Sequence, residues 1–300
     1  MNPHIRPLLI ILQTVLILLI SGCQLSPSPT RAPTRTVLTP QITPTRNATI
    51  PTATLAPTAV PCLETEGQIL VEKIDTEFLP WPLEFVVYLP PCYEQPNQQA
   101  YPVLYMLHGQ GNKDDQWQRL GLLDAADELI TAGEITTLII VMPYEVSWSA
   151  GPEKSKYGEA LLADLFPYIE DTYNACTMRE CRMIGGLSRG GNWAVNLGFA
   201  HPELFTAVGS HSAPLFYGEV NRILPIIENR TTAGLSPHFY VDVGNKDENI
   251  RQVLEFVALL KKYSIPYNYT QFYGYHTEDY WRAHVKDYLS WYSNQVSITP

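Results

Sequence analysis

Short apolar runs of strand length alternate with longer amphipathic stretches from residue 68 onward. Near-continuous apolar runs such as Leu138–Val141 are typical of a parallel sheet that is covered on both faces. The runs predict an opening antiparallel pair and then six inner strands: Gln68–Asp75, Leu83–Leu89, Val103–Leu107, Thr137–Met142, Arg182–Leu187, Phe205–Ser210, His238–Val243 and Tyr267–Tyr273. Helices are predicted over Leu120–Ala132, Gly158–Tyr173, Gly190–Ala200, Asn249–Tyr263 and Asp279–Gln295. We therefore predict an α/β fold with a mostly parallel central sheet flanked by helices.

The first 22 residues have the pattern of an export signal rather than of a folded element. Arg6 gives a positive start, and Leu8–Ile20 is an apolar run of 13 residues, about 20 Å as a helix, which is short for a bilayer. The run ends in Ile-Ser-Gly-Cys, which resembles a bacterial lipobox, and this resemblance implies that Cys23 carries the lipid after cleavage. An uncleaved anchor helix is the alternative.

Residues 23–61 are rich in Thr, Pro, Ala and Ser and predict a disordered tether behind Cys23. The predicted organisation is a lipoprotein signal peptide over residues 1–22, a tether over 23–61 and one folded domain over 62–300. The chain has 20 basic and 30 acidic residues, and residues 1–61 hold four arginines and no acid, so residues 62–300 carry a net charge of −14. Such a domain gains nothing from a phosphate backbone, which argues against nucleic acid as a partner.

Four further cysteines form an even set in a chain that we expect to be exported to a periplasmic or cell-surface location, held there by its lipid. Four cysteines allow three pairings. We favour Cys62–Cys92, which would fix the first segment of the domain, and Cys176–Cys181, which would close a short loop before a strand. Free core thiols are the alternative. The spacings between the cysteines and between the histidines are not those of a metal site, and we predict no metal and no other cofactor.

Candidate chemistry centres on Gly186-Leu187-Ser188-Arg189-Gly190, a G-x-S-x-G match. A strand leads into Ser188 and a helix follows it, so the serine is predicted on a strained strand-to-helix turn at the carboxyl edge of the sheet. The alternative is a glycine-rich turn needed only for packing. An earlier strand leads into the loop Leu107-His108-Gly109-Gln110-Gly111. The backbone N–H of Gln110 in this loop, together with the N–H of Arg189, would form an oxyanion hole.

In a catalytic triad built on such a turn, the residues follow along the chain in the order nucleophile, acid, histidine. This order selects the candidate acid and the candidate histidine. Asp247 follows the strand that ends at Val243, and His276 follows the last strand, so both are predicted at the same edge as Ser188. Asp242 and Glu248 are weaker choices for the acid. His108, His201 and His211 precede the acid and are interpreted as structural.

The combined motifs resemble the α/β-hydrolase superfamily, in its esterase D-like branch of feruloyl and acetylxylan esterases, S-formylglutathione hydrolases and enterochelin esterases. The matching segments are Val87–Pro91, Leu107–Gly109 with Trp117, Val141–Pro143, Gly185–Gly191, His201–Phe205, Asp242–Gly244 with Asp247, and Gly274–His276 with Trp281. The resemblance implies a Ser188–His276–Asp247 triad that acts on esters. Arg189 is a departure, because the family often has Met there; its side chain is expected to pair with a carboxylate rather than to touch substrate.

The resulting hypothesis is an exported, lipid-tethered serine esterase that hydrolyses feruloyl, acetyl or related acyl esters, on a small molecule or linked to a polysaccharide. Acyl transfer, siderophore ester hydrolysis and a non-catalytic surface binding module on the same fold are the alternatives; the acidic domain disfavours an anionic siderophore. Trp117, Tyr144, Trp148 and Tyr157 are candidate pocket aromatics, which stack on an acyl group or sugar unless they are ordinary loop residues.

Overall fold

In a computed structural model, the described residues are 63–95, 99–216, 218–230 and 235–297. Within them, eight strands form one sheet: β1 (Gln68–Ile74), β2 (Leu83–Leu89), β3 (Val103–Leu107), β4 (Ile139–Pro143), β5 (Arg182–Leu187), β6 (Ala207–His211), β7 (His238–Gly244) and β8 (Tyr267–Phe272). The spatial order is β1-β2-β4-β3-β5-β6-β7-β8. Strand β2 pairs antiparallel with β1 and β4, and the pairs from β4 through β8 are parallel. The predicted opening pair and mostly parallel sheet are confirmed.

Helices cover both faces of this sheet. They are α1 (Gln116–Arg119), α2 (Leu122–Thr131), α3 (Tyr157–Ala160), α4 (Phe166–Thr172), α5 (Arg189–Ala200), α6 (Glu219–Arg230), α7 (Ile250–Lys262) and α8 (Glu278–Ser293). Two apolar clusters form the core, one on each face. Along β2 the alternate residues Phe85 and Val87 belong to one cluster, and Val86 and Tyr88 to the other, as the period of two in a strand requires. Burial of both faces explains the continuous apolar strands.

The stretch predicted as one helix over residues 158–173 is divided. Helices α3 and α4 are separated by a π-helical segment, Leu161–Leu165, in which the N–H of Phe166 bonds to the carbonyl of Leu161. Pro167 follows directly, and proline offers no N–H to the carbonyl four residues back and crowds it, so the backbone widens there.

Helix α6 was not predicted. It carries Pro225 in its interior and several polar residues, which obscure its apolar face in the sequence. That face buries Ile223 and Ile227 against the core, so tertiary packing stabilises a helix that local propensity disfavours.

The structure contains the favoured Cys176–Cys181 disulfide, with the two Cα atoms 6.1 Å apart. The Cys62–Cys92 pairing involves a residue outside the described part of the chain. The signal peptide, Cys23 and the tether also lie outside the described residues, and the boundary at residue 62 stays a prediction. In the part of the chain that the structure describes, no helix combines the length and apolarity needed to cross a bilayer.

Candidate active site

Ser188 occupies a strained turn between β5 and α5. Its φ of 51° and ψ of −117° lie outside the usual regions for a residue with a side chain. The glycines on either side allow the turn, because a Cβ at Gly186 would meet the backbone carbonyl carbon of Gly190 at 2.4 Å, and one at Gly190 would meet the Leu107 oxygen at 2.2 Å. The N–H of Ser188 donates to the His211 carbonyl at 2.9 Å. Close backbone packing therefore fixes the serine at the carboxyl edge of the sheet.

The structure brings the three predicted triad side chains together. Ser188 Oγ lies 3.0 Å from Nε2 of His276, and Nδ1 of His276 lies 2.9 Å from Oδ2 of Asp247. The side chain of Asp247 is fully buried, whereas that of His276 is 21% exposed. The imidazole stands edge-on to the ring of Trp281, with ring centroids 5.0 Å apart. A proton on Nδ1 that is donated to the carboxylate leaves Nε2 free to accept the serine proton.

Asn249 contacts both members of the His276–Asp247 pair, and the sequence reasoning missed it. Its backbone N–H donates to Oδ1 of Asp247 at 2.7 Å, and its side-chain amide lies 3.3 Å from Nδ1 of His276. Burial alone would raise the pKa of Asp247, but hydrogen bonds from His276 and the Asn249 N–H, with the electrostatic interaction between His276 and the carboxylate, lower that pKa below its usual value. The carboxylate therefore stays ionised beside the imidazole.

The loop after β3 contains the amide that the sequence analysis assigns to an oxyanion hole. The N–H of Gly109 is engaged by Oε1 of Gln116 at 2.8 Å. The N–H groups of Gln110 and Arg189 have no acceptor among the residues that the structure describes. The Arg189 amide lies at the N-terminus of α5, where the helix dipole favours negative charge. The role of both amides in an oxyanion hole stays a prediction.

The side chain of Arg189 is buried and paired with Glu145, which is the arrangement that the sequence analysis favoured. Nε and Nη2 donate to the two carboxylate oxygens at 2.6 and 2.5 Å. Trp193 Nε1 donates to the same carboxylate at 3.0 Å, and the guanidinium lies over the ring of Phe216. Burial raises the pKa of Glu145 more than Arg189 and Trp193 lower it. The guanidinium is therefore engaged with protein groups.

Two of the candidate pocket aromatics belong to the core. Trp117 is fully buried, donates its indole N–H to the Leu107 carbonyl at 3.0 Å and packs against Tyr288, so its assignment to the substrate pocket is wrong. Tyr157 is also buried, with its hydroxyl on the Pro143 carbonyl. Tyr144 is partly exposed and Trp148 is 41% exposed, so these two remain candidates.

A second His–Asp pair lies in the core and is separate from the triad. His211 Nδ1 is 2.7 Å from Asp242 Oδ1, and both side chains have no exposed surface. The hydroxyls of Tyr280 and Tyr288 donate to the other oxygen of Asp242 at 2.6 and 3.0 Å. Asp242 is therefore a structural residue, as its position inside a strand predicts. Among the described residues, no group of three or more His, Cys, Asp or Glu could hold a metal ion.

A mostly parallel eight-stranded sheet with a serine on a strand-to-helix turn defines an α/β-hydrolase, and the family comparison agrees with it. The model of the Esterase family matches residues 76–292. The chain belongs to this family, which is described as putative esterase.

The curated relatives are longer than the matching part of this chain. Esterase Rv1288 of Mycobacterium tuberculosis (strain H37Rv) is 29% identical over 158 residues, which are 50% of this chain and 33% of that protein. An endo-1,4-beta-xylanase/feruloyl esterase of Xylanibacter ruminicola is 33% identical over 131 residues, which are 40% of this chain and 18% of that protein. The chain thus spans about a third or less of the curated relatives that it matches.

Solved structures match over most of their own length. A ferulic acid esterase is 26% identical with a TM-score of 0.69, covering 77% of this chain and 99% of that chain. A mutant feruloyl esterase module from Clostridium thermocellum, complexed with sinapinate, is 20% identical with a TM-score of 0.66, covering 82% and 95%. S-formylglutathione hydrolase from Staphylococcus aureus is 16% identical with a TM-score of 0.63, covering 76% and 100%. The last two show the fold alone.

Proposed function

We propose that this chain is an exported serine esterase that cleaves carboxylic esters through a Ser188–His276–Asp247 triad and an acyl-enzyme. The observation that carries the proposal is the continuous hydrogen-bonded path from Ser188 Oγ through the imidazole to the Asp247 carboxylate, at 3.0 and 2.9 Å. A Gly-rich turn needed only for packing would not require a histidine and a buried carboxylate aligned on its serine.

In the proposed reaction, His276 Nε2 accepts the Ser188 hydroxyl proton while Oγ bonds to the ester carbonyl carbon. The carbonyl π electrons move to oxygen, and the N–H groups of Gln110 and Arg189 stabilise the oxyanion. The tetrahedral intermediate collapses, the bond to the alcohol oxygen breaks, and the imidazolium returns its proton to the leaving alcohol. Water then attacks the acyl-enzyme by the same sequence, which releases the acid and restores Ser188.

The proposed substrates are feruloyl, acetyl or related acyl esters, including esters linked to polysaccharide. The names of the ferulic acid esterase at 26% identity and of the xylanase/feruloyl esterase support this class. Trp148 also supports this substrate class. Its exposed indole lies in the loop after β4, in which Glu145 binds Arg189, the first residue of helix α5 after Ser188. The side chain of Arg189 is paired with Glu145, so this guanidinium is not available to an anionic substrate.

The proposed location is the extracytoplasmic face of a bacterial membrane, with the domain tethered through Cys23. The signal-like residues 1–22 and the Thr- and Pro-rich residues 24–61 support it. The Cys176–Cys181 disulfide is a further support, because disulfides persist in oxidising compartments and are rare in the cytosol.

Replacing Ser188 by Ala tests the proposal. We expect the full-length chain to hydrolyse p-nitrophenyl acetate, methyl ferulate and acetylated xylan to different degrees, and Ser188→Ala to lose at least about 10³-fold in kcat, because the nucleophile is gone. Ser188 should be the residue that a fluorophosphonate probe labels, and Ser210→Ala, a buried serine of β6, should still be labelled. Unchanged turnover by Ser188→Ala, or a wild-type chain that neither turns over esters nor is labelled, would contradict the proposal.

A further inference from the structure

The backbone of the loop after β3 is held in one arrangement by its own hydrogen bonds. The carbonyl of Gly109 accepts the N–H of Asn112 at 3.1 Å and lies 2.8 Å from Nδ1 of His108. Gly111, at the third position of this turn, has a φ of +75°, which glycine adopts without strain. The Gly109 N–H is engaged by Gln116, so of the amides of Gly109 and Gln110 only that of Gln110 is left for an oxyanion.

Gln116 determines which of these two amides is available. Its side chain is buried, with 1% of the residue exposed, and Oε1 accepts the Gly109 N–H at 2.8 Å. Its other end, Nε2, donates to Oε1 of Glu278 at 3.1 Å. A carboxylate only accepts hydrogen bonds, so Glu278 requires the NH₂ end of the amide and turns the carbonyl end toward Gly109.

Glu278 in turn connects this loop to the segment of the proposed general base. It is the first residue of α8, two positions after His276, and the helix dipole stabilises a carboxylate at this end of a helix. Arg119 donates to both Glu278 oxygens at 3.1 and 3.2 Å, and to Oδ1 of Asn112 at 3.0 Å. Burial alone would raise the pKa of Glu278, but hydrogen bonds from Gln116 and Arg119 and the charges of Arg119 and Arg282 lower it below its usual value.

We infer that Gln116 and Glu278 are positioning residues, which hold the oxyanion loop in register with the His276 segment so that the Gln110 N–H stays aimed at the reacting carbonyl. Neither side chain touches the reacting atoms in this arrangement. The inference rests on the proposed function, since it assigns a role within that reaction. A network that only stabilised the fold would lower the unfolding temperature without changing the turnover of the folded fraction.

The test uses the full-length chain with p-nitrophenyl acetate as substrate and a boronic acid as a mimic of the tetrahedral oxyanion. Loss of an oxyanion donor costs about 10²–10³-fold in kcat, and a displaced donor should cost less, so we expect Gln116→Leu to lower kcat about 10- to 100-fold with KM changed less than about twofold. Boronic acid affinity should fall by about the same factor as kcat/KM.

A second variant keeps the test decisive if the buried substitution prevents folding. Glu278 is 35% exposed at its side chain, so Glu278→Ala should fold, and we expect a fall in kcat of about fivefold or more. Glu278→Gln retains an acceptor for Gln116 and should keep kcat within about twofold of wild type. The double variant Gln116→Leu, Glu278→Ala should lose little more than Gln116→Leu, because the two residues act as one unit.

Two neighbours serve as matched controls. Gln118, on the exposed side of α1, and Asp279, which follows Glu278 with a side chain 91% exposed, should leave kcat unchanged when replaced by Ala. Normal kcat and boronic acid affinity in Gln116→Leu and Glu278→Ala, or losses that multiply in the double variant, would overturn the inference while the Ser188→Ala result stands. A wild-type chain without turnover would instead overturn the proposed function, and the inference with it.

Discussion

His108 joins two loops of the proposed active site as a neutral ring. Nδ1 lies 2.8 Å from the Gly109 carbonyl, to which it donates, and Nε2 accepts the backbone N–H of Glu145 at 2.8 Å. These two contacts require the proton on Nδ1 and none on Nε2. Burial is the main cause that lowers the pKa of His108 to about 4; the Gly109 hydrogen bond opposes it and the charge of Arg189 adds to it. The histidine is therefore a structural connector and not a proton carrier.

This ring should make the stability of the domain depend on pH. Between the ordinary histidine pKa of about 6.5 and the folded value of about 4, the unfolded chain binds a proton that the folded chain does not, so stability falls as the pH falls. The loss approaches about 3 kcal/mol over this window. We expect His108→Gln, which has no titrating ring, to show a shallower decline in urea unfolding between pH 7 and pH 4.5.

His201 is the matched control for that measurement. Its side chain is 39% exposed, so His201→Gln should follow the wild-type decline. A decline in His108→Gln as steep as in wild type would show that other groups cause the acid sensitivity.

The positions of single residues were predictable only where the main chain determines them. Ser188, Asp247 and His276 follow three strands whose carboxyl ends share one edge, so the topology alone brings them together. The bond between Gln116 and Glu278 joins residues 162 positions apart, and no local pattern marks it. One feature could have indicated the role of Asn249. It is the N-cap residue of α7, where an asparagine side chain usually caps the helix, yet its side chain makes no cap bond.

At the scale of elements, Arg189 connects the nucleophile helix to two loops. Besides Glu145, it donates to the Ala150 carbonyl in the loop after β4, and its guanidinium lies over Phe216 in the segment after β6. The pair is buried, with 8% and 4% of the two side chains exposed. Taking both charges out of water is costly, and that cost is offset only while the pair stays complete.

Arg189→Met should therefore be strongly destabilising, although the resembled family often has Met at this position. The variant leaves the Glu145 carboxylate buried without its cation, and such a change typically costs about 3–5 kcal/mol. We expect Arg189→Met, Glu145→Gln to regain most of that loss in urea unfolding, because Gln still accepts the Trp193 indole N–H. The folded fraction of Arg189→Met should keep turnover, since Met supplies the same backbone N–H.

An exposed ion pair provides the control for that comparison. Lys156 and Glu159 pair at 2.7 Å with side chains 63% and 43% exposed, so Lys156→Met should cost about 1 kcal/mol or less. An Arg189→Met cost as small as this would mean that the buried pair does not hold the loops.

The sequence determined the order and type of the strands better than the detail of the helices. Apolar runs mark strands that are buried on both faces, so each predicted strand is found, three with the predicted ends and five with an end shifted by one or two residues. The π-helical segment Leu161–Leu165 and helix α6 depend instead on where a proline falls and on packing from distant residues. The hydrophobic periodicity within one short stretch of sequence does not contain that information.

At the scale of the whole molecule, charge is divided unevenly along the chain. Residues 62–300 carry a net charge of −14, whereas residues 1–61 carry four arginines and no acid. An acidic domain is repelled by an anionic lipid surface, so the charge of the domain itself does not favour attachment. If residues 24–61 form the predicted tether, they would reach roughly 30 Å as a random coil and up to about 120 Å as polyproline II, enough to hold the domain away from the surface.

We therefore expect the proposed membrane attachment to depend on Cys23. Two or three acyl chains, each stabilised by about 0.8 kcal/mol per buried methylene, would hold the chain firmly on a membrane. We expect the wild-type chain to sediment with membranes and to partition into detergent, and Cys23→Ser to lose the lipid, measured as an N-terminal mass shift. Ser188→Ala, which changes no residue of the lipobox, should sediment like wild type. If Cys23→Ser still sedimented as an unprocessed chain, the apolar run Leu8–Ile20 would be acting as an uncleaved anchor, because that run would then be the remaining apolar contact with the bilayer.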